Sequence, residues 1–219
     1  MGEDGKRVVS CNVSLPVMIE TGGRQVPTGI FKKPVIGRVK VDRLNLEGDR
    51  QADLTVHGGV YKAVYAYPSE HYAWWREQLP AMELPWGMVG ENLTTAGLSE
   101  EELRIGDRLR IGTAVLQVTQ PRMPCFKLAA KFGRADMVKR FWESGRSGFY
   151  LSVVTEGELG AGDPIEFGTP AAGPAITISE VVKLYRDPSP AREALERALG
   201  SPLAPSWKEE LRERLVLAM

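Results

Sequence analysis

Residues 107–120 read DRLRIGTAVLQVTQ, and this stretch decides the fold class. Apolar and polar residues alternate on both sides of Ile111-Gly112-Thr113, the pattern of two half-buried strands joined by a tight hairpin. Similar short runs recur on either side: RVVSCNVSL (7–15), GRVKVDRLNL (37–46), KAVYAYP (62–68), FYLSVV (149–154) and DPIEF (163–167). Gly-Asp pairs punctuate them at Gly48-Asp49, Gly106-Asp107 and Gly162-Asp163. Many short strands with such turns predict a mainly β protein, a barrel or a sandwich.

Two helical stretches interrupt the strands. In SEHYAWWREQL (69–79), Tyr72, Trp75 and Leu79 share one face; in RADMVKRFWESG (134–145), Val138, Phe141 and Trp142 cluster and Gly145 supplies a stop. The composition changes at GTPAAGPA (168–175), which reads as a linker, and three short helices are predicted after it. Thr177 and Glu180 form a capping box, Ser189-Pro190 reads as an N-cap with a first-turn proline before a helix closed by Gly200, and Ser206 with Glu209 forms a second box. The expected organisation is a β domain over 1–168 and a three-helix domain over 175–219.

With 219 residues, 43% of them hydrophobic and 26% charged, the chain can build a real core. Lys plus Arg and Asp plus Glu are 28 each, so no overall charge points to a nucleic-acid polymer or a membrane surface. The start, MGEDGKRVVSC, lacks the apolar core of a signal peptide, and Lys6 stands where a myristoylation motif has Ser or Thr. No apolar run is long enough to span a bilayer. Two cysteines, Cys11 and Cys125, are too few and too far apart for a disulfide framework, so a reducing cytoplasm is expected.

Polar chemistry concentrates in three segments. Residues 46–68 bring together Glu47, Asp49, Gln51, Asp53, His57 and Lys62, with Gly58-Gly59 permitting a sharp turn or close approach of backbone to a ligand. Each of these alone reads equally as a solvated loop residue; together they offer donors and acceptors for a polar ligand. In TQPRMPCFK (119–127), Pro121 and Pro124 stiffen the backbone around Cys125. Arg122 and Lys127 flank it with positive charge, which favours a thiolate. GENLTT (90–95) adds Asn92, Thr94 and Thr95 as neutral hydrogen-bonding groups.

Cys125 admits several readings. It can be a buried, inert thiol. It can be a nucleophile with His57 as base and Asp53 as orienter. Zinc is disfavoured because the two Cys and two His lack closely spaced pairs. Or it anchors a soft transition metal whose remaining ligands come from an anionic cofactor.

Taken in order, LEGDRQAD, VHGG, KAVYAYPSEHY, GENLTT, IGD, QVTQPRMPCFKL and GFYLSVV resemble the MOSC family, named for the molybdenum cofactor sulfurase C-terminus. The likeness is to its YiiM-like branch, linked to 6-hydroxylaminopurine resistance, and it covers most of residues 37–167. The resemblance implies a MOSC-type antiparallel β-barrel followed by a small helical domain. It implies a molybdenum-molybdopterin cofactor with Cys125 as the metal's protein ligand, and reduction of N–OH to N–H with release of water, a detoxifying reaction. Gln51, Asp53 and His57 would then lie near metal or substrate, one of them relaying a proton. Arg122, Lys127 and Lys62, with Asn92 and Thr94, would hold the pterin and its phosphate. No flavin, haem or nicotinamide motif is present, so electrons are expected from a separate donor protein such as a flavoprotein reductase. A soluble bacterial-type enzyme, compatible with a homodimer, is the expectation; the competing class is a non-catalytic carrier of the cofactor or of sulfur.

Overall fold

A computed structural model describes residues 5–52 and 58–217. The chain is mainly β. Its largest sheet has eight strands: β1 (Arg7–Val13), β4 (Lys33–Val35), β7 (Val64–Pro68), β8 (Leu93–Ala96), β9 (Arg108–Ile111), β10 (Ala114–Pro121), β11 (Phe149–Thr155) and β13 (Ile165–Phe167). Their spatial order is β13-β9-β10-β11-β7-β8-β1-β4. A three-stranded sheet pairs β12 (Gly157–Gly160) with β5 (Arg38–Asp42) and β5 with β6 (Asn45–Leu46), and β2 (Val17–Thr21) with β3 (Arg24–Thr28) forms a separate hairpin.

The decisive hairpin forms as expected. Ala114 pairs with Ile111 and Leu116 with Leu109, and Gly112 makes the turn at φ 58°. A side chain would not fit there: a Cβ on Gly112 would lie 2.3 Å from the Glu158 carbonyl oxygen. Along β10 the alternation puts Ala114, Leu116 and Val118 into the core while Val115 and Gln117 are half-buried. A β-bulge between Val118 and Gln120 breaks this register just before the Pro-Arg-Met-Pro-Cys segment. A bulge bends its strand and re-aims the chain beyond it, here the segment that carries Cys125.

Two features differ from a closed antiparallel barrel. The β7–β8 pair is parallel, with Ala66 opposite Leu93, because helix α1 (Glu70–Gln78) carries the chain across between them. And the sheet curls round without a closing ladder. Its ends meet through one isolated bridge, Arg7 opposite Pro164, supported by Val8 N–H donating to Asp163 O at 3.0 Å. Pro164 has no N–H to continue such a ladder, and the second half of β1 is already taken by β4.

Helices cover the sheet. α1 buries Tyr72 and Trp75 as its pattern predicts, and α3 (Met137–Ser144) buries Phe141 and ends at Gly145 in the left-handed conformation. Trp75 and Phe141 stack at 5.9 Å between ring centres, and Tyr67 of β7 stacks on Phe141 at 6.0 Å. Burying each such ring contributes roughly 1.5–3 kcal/mol. Between them a helix that the sequence pattern does not predict, α2 (Phe126–Phe132), begins directly after Cys125.

The C-terminal helices are α4 (Ile178–Arg186), α5 (Arg192–Gly200) and α6 (Pro205–Leu217). The Thr177–Glu180 capping box is formed in both directions. The other two expected starts shift. Ser189 is drawn into a turn, its N–H donating to Asp187 Oδ1 at 2.9 Å, so α5 opens after Ala191. α6 opens at Pro205, whose fixed φ suits a first helical position, and this leaves Ser206 inside the first turn rather than capping it. Among the described residues no helix is long and apolar enough to cross a membrane.

Candidate active site

A cavity opens where the loop after β6, the segment before β8 and the β10–α2 connection meet. Gln51, Lys62, Asn92, Arg122, Cys125 and Lys127 all line it, joined by Lys32, Asp49, Arg50, Tyr65 and Tyr150. Three segments far apart in sequence therefore converge on one place.

The two cysteines separate cleanly. Cys11 is fully buried on β1, and burial, reinforced by Asp163, pushes its thiol up to about 12. Cys125 is half-buried, faces the cavity and occupies the N-cap of α2 in extended backbone. Arg122 and Lys127 line the same cavity.

The cations around it are not equivalent. Arg122 is buried: its Nη1 donates to Val89 O, and its guanidinium lies 4.7 Å from the Tyr65 ring centre. Lys32 is ion-paired with Asp49. Burial lowers its pKa, and Asp49 opposes that shift. Lys131, one turn further along α2, donates to Ile30 O at 2.7 Å and to Gly87 O. Burial brings it down to about 7, partly offset by the charge of Glu91. Lys127 differs from all of these. It is 7% exposed, it reaches the cavity, and among the described residues its ammonium has no hydrogen-bond or ion-pair partner.

The neutral candidates are already engaged. Gln51 Nε2 donates to Leu44 O at 2.8 Å and Lys62 O at 3.0 Å, while its Oε1 accepts from Gly59 N–H at 2.8 Å. It ties the loop rather than presenting a free amide. Asn92 lines the cavity, but its Oδ1 accepts from Tyr65 N–H at 3.1 Å and its Nδ2 donates to Asp49 at 2.8 Å. Thr94 does not line the cavity: its hydroxyl donates to Glu91 at 2.9 Å and accepts from Asn12 at 3.2 Å. It belongs to a buried polar strut and is carried no further as a cofactor ligand. Asp53 and His57 lie outside the described residues.

Sequence reasoning missed Lys32 and Glu91 and passed over Asp49 as a ligand-site member. Glu91 is wholly buried, accepts from Tyr72 Oη at 2.6 Å and Gly87 N–H at 2.7 Å, and is raised above the usual carboxylate range by burial. Nothing local marks Lys32 in FKKP or Glu91 in GENL as interior charges. Only their partners make burial tolerable, and those partners are distant in sequence.

The site therefore sits on a curled, mostly antiparallel sheet, with one half-buried cysteine facing a cavity lined by cations. Residues 53–166 match the MOSC domain family, and the chain belongs to it. Residues 176–216 match the YiiM-like, 3-alpha helix domain. Among relatives, the uncharacterized protein YflK of Bacillus subtilis is 41% identical over 95% of this chain and 94% of its own length. Protein YiiM of Escherichia coli is 34% identical over 91% and 92% respectively. A protein of Gibberella moniliformis named "Reductase" is 32% identical over 88% of this chain, which spans only 35% of that longer protein. The crystal structure of YiiM from Geobacillus stearothermophilus superposes with a TM-score of 0.80 at 35% identity, covering 96% of this chain and 99% of that one.

Proposed function

We propose that this chain is a molybdenum-cofactor-dependent reductase of small N-hydroxylated compounds such as 6-hydroxylaminopurine. The observation that carries this reading is the pairing of Lys127 with Cys125: a lysine without a hydrogen-bond or ion-pair partner among the described residues lines the same cavity as the half-buried Cys125 thiol. An ammonium at the cavity suits an anionic group, and a thiolate is a soft-metal ligand. MOSC domains are associated in general with binding the molybdenum cofactor, which combines an anionic phosphate with a soft metal. The fungal relative's name, "Reductase", supports the reaction type.

The residues fit such a group in kind. Cys125 would hold the metal, Lys127 a phosphate or pterin oxygen, and Arg50 and Lys62 would serve at the mouth. The enclosed space, about 110 Å³, is below the ~300–1,000 Å³ of sites that swallow a drug-sized ligand. It suits a metal with its nearest ligands, and the larger part of the cofactor would lie outside this space. When bound, the cofactor would supply two-electron redox chemistry.

The stoichiometry sets what the protein must add. R–NHOH takes up two electrons and two protons to give R–NH2 and water; the N–O bond breaks and the electrons come from a separate donor protein. Gln51 carries no titratable proton and its amide is engaged, so in this reading His57 or Asp53 would relay the proton. Arg122 and Tyr65, both buried, line the site.

The test is protein produced in a host that makes the cofactor, assayed for molybdenum and for oxidation of a reduced dye on adding 6-hydroxylaminopurine. Dye oxidation in proportion to bound molybdenum supports the reductase. Full molybdenum occupancy with no dye oxidation identifies a cofactor carrier instead.

A further inference from the structure

A second crevice, of about 370 Å³, lies apart from Cys125 where the sheet's helical cover meets the C-terminal helices. His71 and Glu100 form one wall, Gly145 and Arg146 at the end of α3 another, and Lys183 and Arg186 of α4 the third. Three cations from two parts of the fold thus face one space. Among the described residues, none of the three has a carboxylate within ion-pair distance.

The carboxylates nearby do not answer this charge. Glu100 is buried and committed, accepting from the His71 ring at 2.8 Å and from Gly148 N–H at 2.8 Å. Glu101 lines the crevice but is exposed and forms no ion pair there. The C-terminal end of α3 offers about half a negative charge, too little for three cations.

The two guanidinium groups rest on aromatic rings. The Arg146 guanidinium sits 4.1 Å from the Trp74 ring centre, and that of Arg186 sits 5.8 Å from Trp142. Arg186 Nη1 lies 3.8 Å from where a Cβ on Gly145 would be, so α4 reaches directly over the end of α3. Fixed guanidinium groups lose little freedom on binding, and their forked donors match the oxygens of a phosphate.

We propose that this crevice is an anion site for a phosphate group, free or carried by a small phosphorylated molecule such as a nucleotide, which clamps α3 to α4. Its chemistry is independent of Cys125 and of the reductase reading.

The test is calorimetric titration of the full chain with inorganic phosphate and, separately, with AMP, at constant ionic strength. Wild-type protein should bind, and Lys183→Gln/Arg186→Gln should weaken binding about tenfold or more, as expected for lost charge-assisted bonds. Both side chains are exposed, so the fold should survive; Lys183→Glu alone provides a second arm with the same expected direction. Repeating the titrations in a Lys127→Gln background removes the phosphate ligand of the Cys125 cavity; binding at the crevice, and its weakening by the α4 substitutions, should persist there. Tighter binding of AMP than of phosphate identifies a nucleotide as occupant, and equal binding identifies the phosphate group alone. Absence of binding by the wild type, or binding lost in Lys127→Gln and kept in the α4 variants, overturns the proposal.

Discussion

Asn92 and Asp49, 43 residues apart, are joined by a hydrogen bond from Asn92 Nδ2 to Asp49 Oδ2 at 2.8 Å. The other oxygen of the same carboxylate ion-pairs with Lys32 and accepts from Ser14 N–H at 2.9 Å. One aspartate therefore ties two other cavity-lining residues, Lys32 and Asn92, to the loop after β6. Asp49→Ala should strand Lys32 without its counter-charge and cost about 3–5 kcal/mol, as breaking a buried pair does. Asp49→Asn, which can keep the contacts to Asn92 or Ser14, should cost less. Urea unfolding at neutral pH measures both; equal losses would show that the charge on Asp49 is irrelevant.

The two thiols should differ in reactivity in the native state. Cys125 is half-buried at a helix N-terminus, whereas Cys11 is wholly buried with its thiol pushed up to about 12. Alkylation of folded protein near pH 8, read by mass spectrometry, should modify Cys125 and spare Cys11 until the chain unfolds. Cys125→Ser should leave the unfolding temperature nearly unchanged and remove bound molybdenum. Metal retained at the wild-type level by that variant would reject the thiol as ligand.

Lys131 predicts a pH dependence of stability. In the unfolded chain it keeps its proton up to about 10.5, but burial in the fold brings this down to about 7. Between these values the unfolded state binds more protons, so this residue makes stability rise with pH across that window. Chemical denaturation at a series of pH values should show the rise in wild type and a flatter profile in Lys131→Met. An unchanged slope in the variant would assign the rise to another group.

Lys127 and Arg122 line one cavity but should respond differently to substitution. Lys127 has no partner among the described residues, so Lys127→Gln should keep the fold and lower molybdenum content. Losing a charge-assisted bond typically costs about 1.5–3 kcal/mol, roughly a tenfold to hundredfold drop in cofactor affinity. Arg122 donates to Val89 O and packs on Tyr65, so Arg122→Ala should also destabilise the protein itself. Metal analysis and thermal unfolding on the same preparations separate the two. A Lys127→Gln protein with full molybdenum would remove Lys127 from the site.

Local patterns were legible from the chain alone. The hairpin at Gly112 follows from period-two alternation around a residue able to take positive φ, and the Thr177–Glu180 cap from groups three residues apart. The apolar face of α1 belongs to the same class, since it depends on near neighbours. Tertiary structure decided the rest. A parallel β7–β8 pair, a sheet that stops short of closure at Pro164, and α2 starting on Cys125 depend on what packs alongside. So do the interior charges: Lys32 is buried because Asp49 meets it, and Asn92 and Gln51 turned out to be spent on backbone and Asp49. Whether a polar side chain faces a ligand or another part of the chain is set by partners tens of residues away, because desolvating it is tolerable only where a partner arrives.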